Sequence, residues 1–216
     1  MTRIEKPVGQ HRGQTTRTDI INAARRLFSE HGYHRTGIAD IQDATGLTKG
    51  AFYHHFRSKE DLGLAILETA KADYAEHLIG PAMKHASPAE RIEALLDGAI
   101  GLHARPEWCN CQMVATFCAE LTARDERLHR AVQAMQLSLF ELWRDLIAQA
   151  RQAGLADEKI EPATAAEWIM STLSGLLLAR KLGTAQVPPH KITAMMKRTL
   201  LKESARAPMP DRPRGD

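Results

Sequence analysis

Residues 40–56 read Asp40-Ile41-Gln42-Asp43-Ala44-Thr45-Gly46-Leu47-Thr48-Lys49-Gly50-Ala51-Phe52-Tyr53-His54-His55-Phe56, and Ser58-Lys59-Glu60-Asp61-Leu62 follow almost at once. Gly46 separates two short segments and can take a positive φ at no steric cost, so the stretch predicts a helix over about 37–44, a turn, and a second helix from Lys49 to Phe56. Thr48 stands where its hydroxyl can cap the second helix, and Ser58 does the same for another. Glu60 and Asp61 then fall in a first turn, where the helix dipole favours negative charge. Phe52 and Phe56, four apart, share one helix face and point into a core.

Upstream, Ile20, Ile21, Ala24, Leu27 and Phe28 form an amphipathic stripe over 16–31, closed by Gly32, with Arg17, Arg25 and Arg26 on the other face. Residues 1–15 show no apolar period and read as a flexible arm. Downstream, a fourth helix runs through Leu62, Leu64, Ala65, Leu67 and Leu78 until Gly80-Pro81 stops it. Longer amphipathic helices are expected at 88–104, 107–122, 125–153, 163–182 and 189–204, broken at Arg105-Pro106, Gly154, Pro162 and Pro188-Pro189. The polar, proline-rich residues 205–216 read as a disordered tail. With aromatic residues at only 5%, the chain is expected to be all-α, with about nine helices.

Charge is uneven along this chain. Residues 1–60 hold ten basic against six acidic side chains, 61–180 eleven against seventeen, and 181–216 eight against three. A basic first quarter suits contact with a polyanion at one end of the molecule. The N-terminus lacks the apolar core of a signal peptide and no apolar run could span a bilayer, so the expected location is cytoplasmic, without membrane contact. No phosphate loop, nucleophile elbow or H-E-x-x-H is present, so no enzyme and no cofactor are expected.

Three short helices of this layout match the unit that sets a recognition helix in the major groove. In that setting Gly50 permits close backbone approach to DNA, and Tyr53, His54 and Lys59 offer donors to phosphate oxygens. Thr36 and Thr48, at the starts of the second and third helices, combine a hydroxyl with unpaired backbone N–H groups, a ready anion site. Over helices two to four the string 40–62 resembles the signature of TetR-family repressors, with about a dozen positions matching in order. The resemblance implies that Lys49, Gly50 and Ala51 face the groove. It departs at Gln42 and Thr45, usually alanine in the family, whose side chains are expected to turn toward solvent or DNA. Arg3, Lys6, His11 and Arg12 either reach an adjacent minor groove or remain a solvated tail.

The same resemblance implies a DNA-binding domain over 16–62 and a ligand-binding and dimerisation domain over 63–204, with the last two helices pairing two chains on a palindromic, double-stranded operator. Periodicity agrees: Trp168, Ile169, Leu173, Leu176, Leu177 and Ala179 make one nearly all-round apolar helix, and Ile192, Met195, Met196 and Leu200 stripe another. Such faces need a partner, either a second copy or the rest of the same chain. Leu95, Ala99, Leu102, Met113, Phe117, Leu139, Phe140, Trp143 and Trp168 are candidates to line an apolar effector pocket or are simply core. The functional expectation is a repressor released from its operator by a small hydrophobic effector.

Cys109, Cys111 and Cys118 crowd into ten positions, too few and too close for a disulfide framework. Cys111, near a helix start that would favour its thiolate, is the candidate for a redox or electrophile switch, against the alternative of a small buried hydrophobe. C-x-C with one more distant cysteine and His103 lacks the second close pair of a metal site, so none is expected. An architectural DNA binder without ligand is the remaining alternative.

Overall fold

The computed structural model describes the backbone of residues 9–103, 110–122 and 124–205, with side chains from Thr16 onward except at 103, 110–112 and 204. Arg3, Lys6, Cys109 and the segment after 205 lie outside it, as do the side chains of His11, Arg12, His103 and Cys111. Helices α1 (Gly9–His31), α2 (Ile38–Thr45), α3 (Lys49–His55) and α4 (Lys59–Tyr74) come first. A π-helical turn, Ala75–Ile79, leads directly into α5 (Gly80–Met83). Then come α6 (Pro88–His103), α7 (Asn110–Glu120), α8 (Glu126–Gln152), α9 (Pro162–Lys181) and α10 (Pro189–Leu200). Among the described residues the fold is all-α, with no strand and one isolated bridge between Ala156 and Leu201.

Two elements differ from the sequence expectation. Helix α1 starts at Gly9 rather than near Thr16; residues 9–15 carry no apolar stripe, so periodicity is silent there while the backbone ladder simply propagates. Gly80-Pro81 does not stop the fourth helix. Proline lacks an N–H and clashes with the carbonyl four residues back, and the wider π turn absorbs this, the Gly80 N–H reaching Ala75 O instead. A Cβ on Gly80 would stand 2.8 Å from that same oxygen, so the turn closes only around glycine.

The chain forms two compact units, one from residues 1–71 and 109–134, the other from 72–108 and 135–216. In the first, Ile20, Ala24 and Phe28 of α1, Ile41 of α2, Phe52 of α3, Leu62, Ile66 and Leu67 of α4 and Met113 and Phe117 of α7 are fully buried. Helix α7 packs on α1, where the rings of Phe28, Tyr33 and Phe117 meet with centroids 5.1–6.0 Å apart. Helix α4 comes so close to α8 at Gly63 that a Cβ there would lie 2.7 Å from Leu128 Cδ2. The second unit is built on Ile92, Leu95 and Leu96 of α6, Trp143, Leu146 and Ile147 of α8, Ile169 of α9 and Met196 and Leu200 of α10.

Candidate nucleic-acid interface

Local chemistry sets the geometry of residues 37–59. The Gly37 N–H donates to Asp40 Oδ2 at 2.6 Å, closing the start of α2. Gly46 ends α2 at φ 68°, and Thr48 Oγ1 accepts the Ala51 N–H at 3.3 Å to begin α3. Phe52 and Phe56 are buried with ring centroids 6.0 Å apart, which fixes the rotation of α3 about its axis. Thr48, Lys49, Gly50, Tyr53 and His54 are consequently brought together on its exposed face, with Ala51 half-buried beside them. A Cβ at Gly50 would meet nothing within 4 Å, and Tyr53 is 43% exposed.

Thr36 and Lys59 stand apart from that face. Thr36 is buried, its hydroxyl donating to Gly32 O at 2.8 Å, and the α2 N-cap is Gly37, so the expected anion site at Thr36 is not formed. The Lys59 ammonium donates to Tyr33 O at 3.0 Å and Thr36 O at 3.2 Å and lies 4.4 Å from the Tyr33 ring centroid. It pins the α1–α2 connection to α4 rather than standing in solvent. Burial lowers its pKa, opposed by the carboxylates of Asp125 and Glu120. Burial and those of Asp125 and Glu60 push the Tyr33 phenol up to about 12. Nor do Gln42 and Thr45 turn outward as expected. Both are half-buried, Thr45 donating to Ile41 O at 2.7 Å, while Gln42 Nε2 is buried without a hydrogen-bond partner among the described residues.

Sequence reasoning missed two polar links, one from α4 to the start of α8 and one from the α1–α2 connection to the end of α7. Glu60 Oε1 accepts the backbone N–H of Arg127 and Leu128, and the Arg127 guanidinium donates to Asp61 Oδ1 at 2.9 Å. The His34 N–H donates to Glu120 Oε2 at 3.0 Å, and His34 Nε2 lies 3.4 Å from Asp125 Oδ2. No local signal could have revealed partners this distant in the chain. Arg17 was legible only as an exposed basic residue of α1; its guanidinium lies over the Phe56 ring, 5.0 Å from the centroid.

The effector candidates do not assemble as one group. Leu95 and Trp143 belong to the core of the second unit with Phe140 and Trp168 half-buried against it. Ala99 and Leu102 are buried on α6 and Leu139 is half-buried on α8. Met113 and Phe117 instead lie in the first unit, because the aromatic face of α1 draws α7 onto it. Cys111 is the second residue of α7, and Cys118 is exposed further along the same helix. Among the described residues no helix is long and apolar enough to cross a membrane.

Known proteins match in two consecutive stretches of the chain, the second of which takes in parts of both compact units. Residues 20–66 fit the family described as bacterial regulatory proteins, tetR family, and residues 88–196 fit the tetracyclin repressor-like C-terminal domain. An uncharacterized HTH-type transcriptional regulator in the lacX 3′ region of Lactococcus lactis subsp. lactis is 28% identical over 189 residues, covering 87% of this chain and 83% of its own. The HTH-type transcriptional repressor AcnR of Corynebacterium glutamicum is 43% identical over 61 residues, 28% of this chain and 32% of its own. The crystal structure of a TetR transcriptional regulator from Chloroflexus aurantiacus superimposes with a TM-score of 0.74 at 29% identity, covering 89% of this chain and 99% of that one. With a helix-turn-helix carried by an exposed α3 face and both halves of the family matched in order, the chain belongs to the TetR family of DNA-binding transcriptional regulators.

Proposed function

We propose that this regulator is a homodimeric repressor that lays α3 in the major groove of a palindromic operator and is released by a small apolar effector. Gly50 carries the reading. A glycine inside a helix is worse than alanine by roughly 0.5–1 kcal/mol, and neither a positive φ nor a neighbouring atom requires it here. The space it leaves serves something outside the chain, and a DNA backbone or base edge beside Lys49 and Tyr53 fits that space. Repression rather than activation follows the likeness to AcnR over the matched segment.

Dimerisation is proposed through α9 and α10. Leu178 (57%), Leu182 (65%) and Met195 (50%) remain exposed on or next to these helices, a face that a second copy would cover. Two chains related by a two-fold axis would then present two α3 helices to successive major grooves. The effector is placed against Leu95, Phe140, Trp143 and Trp168 of the second unit, whose apolar character selects a hydrophobic ligand. Release requires the ligand to bind the DNA-incompetent state more tightly.

The test is selection of a duplex from a random pool by the full chain, followed by titration of wild type and Gly50→Ala. Gly50→Ala should melt at or slightly above the wild-type temperature, as the helix preference for alanine requires, and lose affinity by at least tenfold. Equal affinity of the two proteins, or failure of wild type to enrich any sequence, would overturn the α3 docking. Sedimentation of Leu182→Glu as a monomer would support the α9–α10 dimer, and an unchanged dimer would reject it.

A further inference from the structure

The helix-turn-helix is held at both of its ends by one corner of the chain, the turn from α7 into α8. Just before α2, the His34 N–H donates to Glu120 Oε2 at 3.0 Å, and His34 Nε2 lies 3.0 Å from the Glu120 carbonyl oxygen. Just after α3, Glu60 Oε1 in the first turn of α4 accepts the Arg127 N–H at 3.1 Å and the Leu128 N–H at 3.3 Å. The two links are reciprocal: the corner supplies the carboxylate at one end and the backbone N–H groups at the other. Bonds from N–H to a carboxylate are roughly twice as strong as neutral ones. Lys59 ties the two ends together, its ammonium donating from the start of α4 to Tyr33 O and Thr36 O. Each link also needs a glycine. Gly32 turns at φ 95°, and a Cβ on it would collide with Glu120 Oε1. Gly63 lies inside α4 without a positive φ, where alanine is the better helix former, yet a Cβ there would stand 2.7 Å from Leu128 Cδ2.

We propose that Glu60 and Glu120 are positioning residues for DNA binding: they clamp the helix-turn-helix to the α7–α8 corner, and α3 takes its DNA-competent pose only while both clamps are closed. The inference rests on the α3 docking reading and adds that a corner outside the helix-turn-helix sets its affinity. With a clamp open, the flank before α2 and the first turn of α4 move independently of the corner. Only a fraction of the molecules then holds the competent pose, and apparent affinity falls by that fraction. The sign separates this from a charge effect. Removing a carboxylate from a protein that binds a polyanion strengthens binding on charge alone, whereas opening a clamp weakens it. By the reciprocity of linked equilibria, bound DNA in turn favours the closed clamps.

The experiment uses the full chain and a duplex that wild type selects from a random pool. Affinity and its salt slope are measured for wild type, Glu60→Ala, Glu120→Ala, Glu60→Gln and Glu120→Gln, below the melting temperature of each. Alanine and glutamine remove the same charge, but glutamine alone keeps an oxygen that accepts the N–H. Each alanine variant should bind at least about fivefold more weakly, as a reduced competent fraction requires, with the salt slope unchanged and each glutamine variant within about twofold of wild type. In wild type, the bound duplex should slow hydrogen exchange at the His34, Arg127 and Leu128 amides. Folded alanine variants that bind like wild type, or glutamine variants as weak as alanine, overturn the clamp while leaving the docking intact. Should an alanine variant unfold, Gly63→Ala decides: it keeps both carboxylates and displaces Leu128, so it should weaken binding and speed exchange at Arg127 and Leu128, and wild-type affinity overturns the proposal. Failure of wild type to select any duplex overturns the docking reading itself.

Discussion

Glu60 caps a helix that begins far away in the sequence: its Oε1 accepts the Arg127 N–H at 3.1 Å, across 67 positions of chain, as well as that of Leu128. These are two of the orphan donors at the start of α8, so the first turn of α4 and the first turn of α8 share one carboxylate. Glu60→Ala should lower stability by about 1–2 kcal/mol, the magnitude of a lost cap. Asp61→Ala, which removes only a half-buried partner of the exposed Arg127 guanidinium, should cost less than about 1 kcal/mol. Urea unfolding of the two variants ranks them, and equal losses would show that the cap is not the main term.

Gln42 presents the opposite case, a buried amide nitrogen without a partner. An unsatisfied buried polar group costs about 1–3 kcal/mol, and alanine is the better helix former. Gln42→Ala should therefore stabilise the protein by about 1 kcal/mol, read as a higher melting temperature. A lower one would mean that the Gln42 stem contributes more packing than its amide loses.

Lys59 and Lys49 separate two roles that one formal charge can play. The Lys59 ammonium sits on two carbonyls, so Lys59→Ala should cost about 1–3 kcal/mol of folding stability. Lys49 is exposed on α3, so Lys49→Ala should leave melting unchanged and reduce the salt slope of DNA binding by about 0.9. Melting and salt titration of both variants check the pair, and an exchange of phenotypes would reverse the assignment.

Tyr33 makes the stability depend on alkaline pH. Its phenol is pushed up to about 12 in the folded protein, against about 10 in an unfolded chain. The folded state thus holds the proton more tightly. The associated stability is complete below about 10 and is lost as pH rises toward about 12, amounting to roughly 3 kcal/mol. Tyr33→Phe should flatten that alkaline fall relative to wild type in melting scans over the same range. Parallel curves for the two proteins would place the alkaline loss elsewhere.

Sequence alone determined the all-α class and the helix-turn-helix, because the signals act over a few residues. Gly46 supplies the positive φ, Thr48 and Ser58 cap from the adjoining position, and the i, i+4 spacing of Phe52 and Phe56 turns one face of α3 inward and leaves Thr48, Lys49, Tyr53 and His54 outward. Tertiary structure alone decided where the long and polar side chains end. Thr36 and Lys59 read as phosphate donors, yet carbonyls of the α1–α2 connection accept their protons first. Phe117 reads as a pocket residue, yet Phe28 and Tyr33 offer it an aromatic partner on α1. Glu60 reads as a dipole partner of its own helix, yet it also caps α8. A flexible side chain takes the strongest partner that packing brings within reach, and partners so far along the chain leave no trace in the local pattern from which the helices were read.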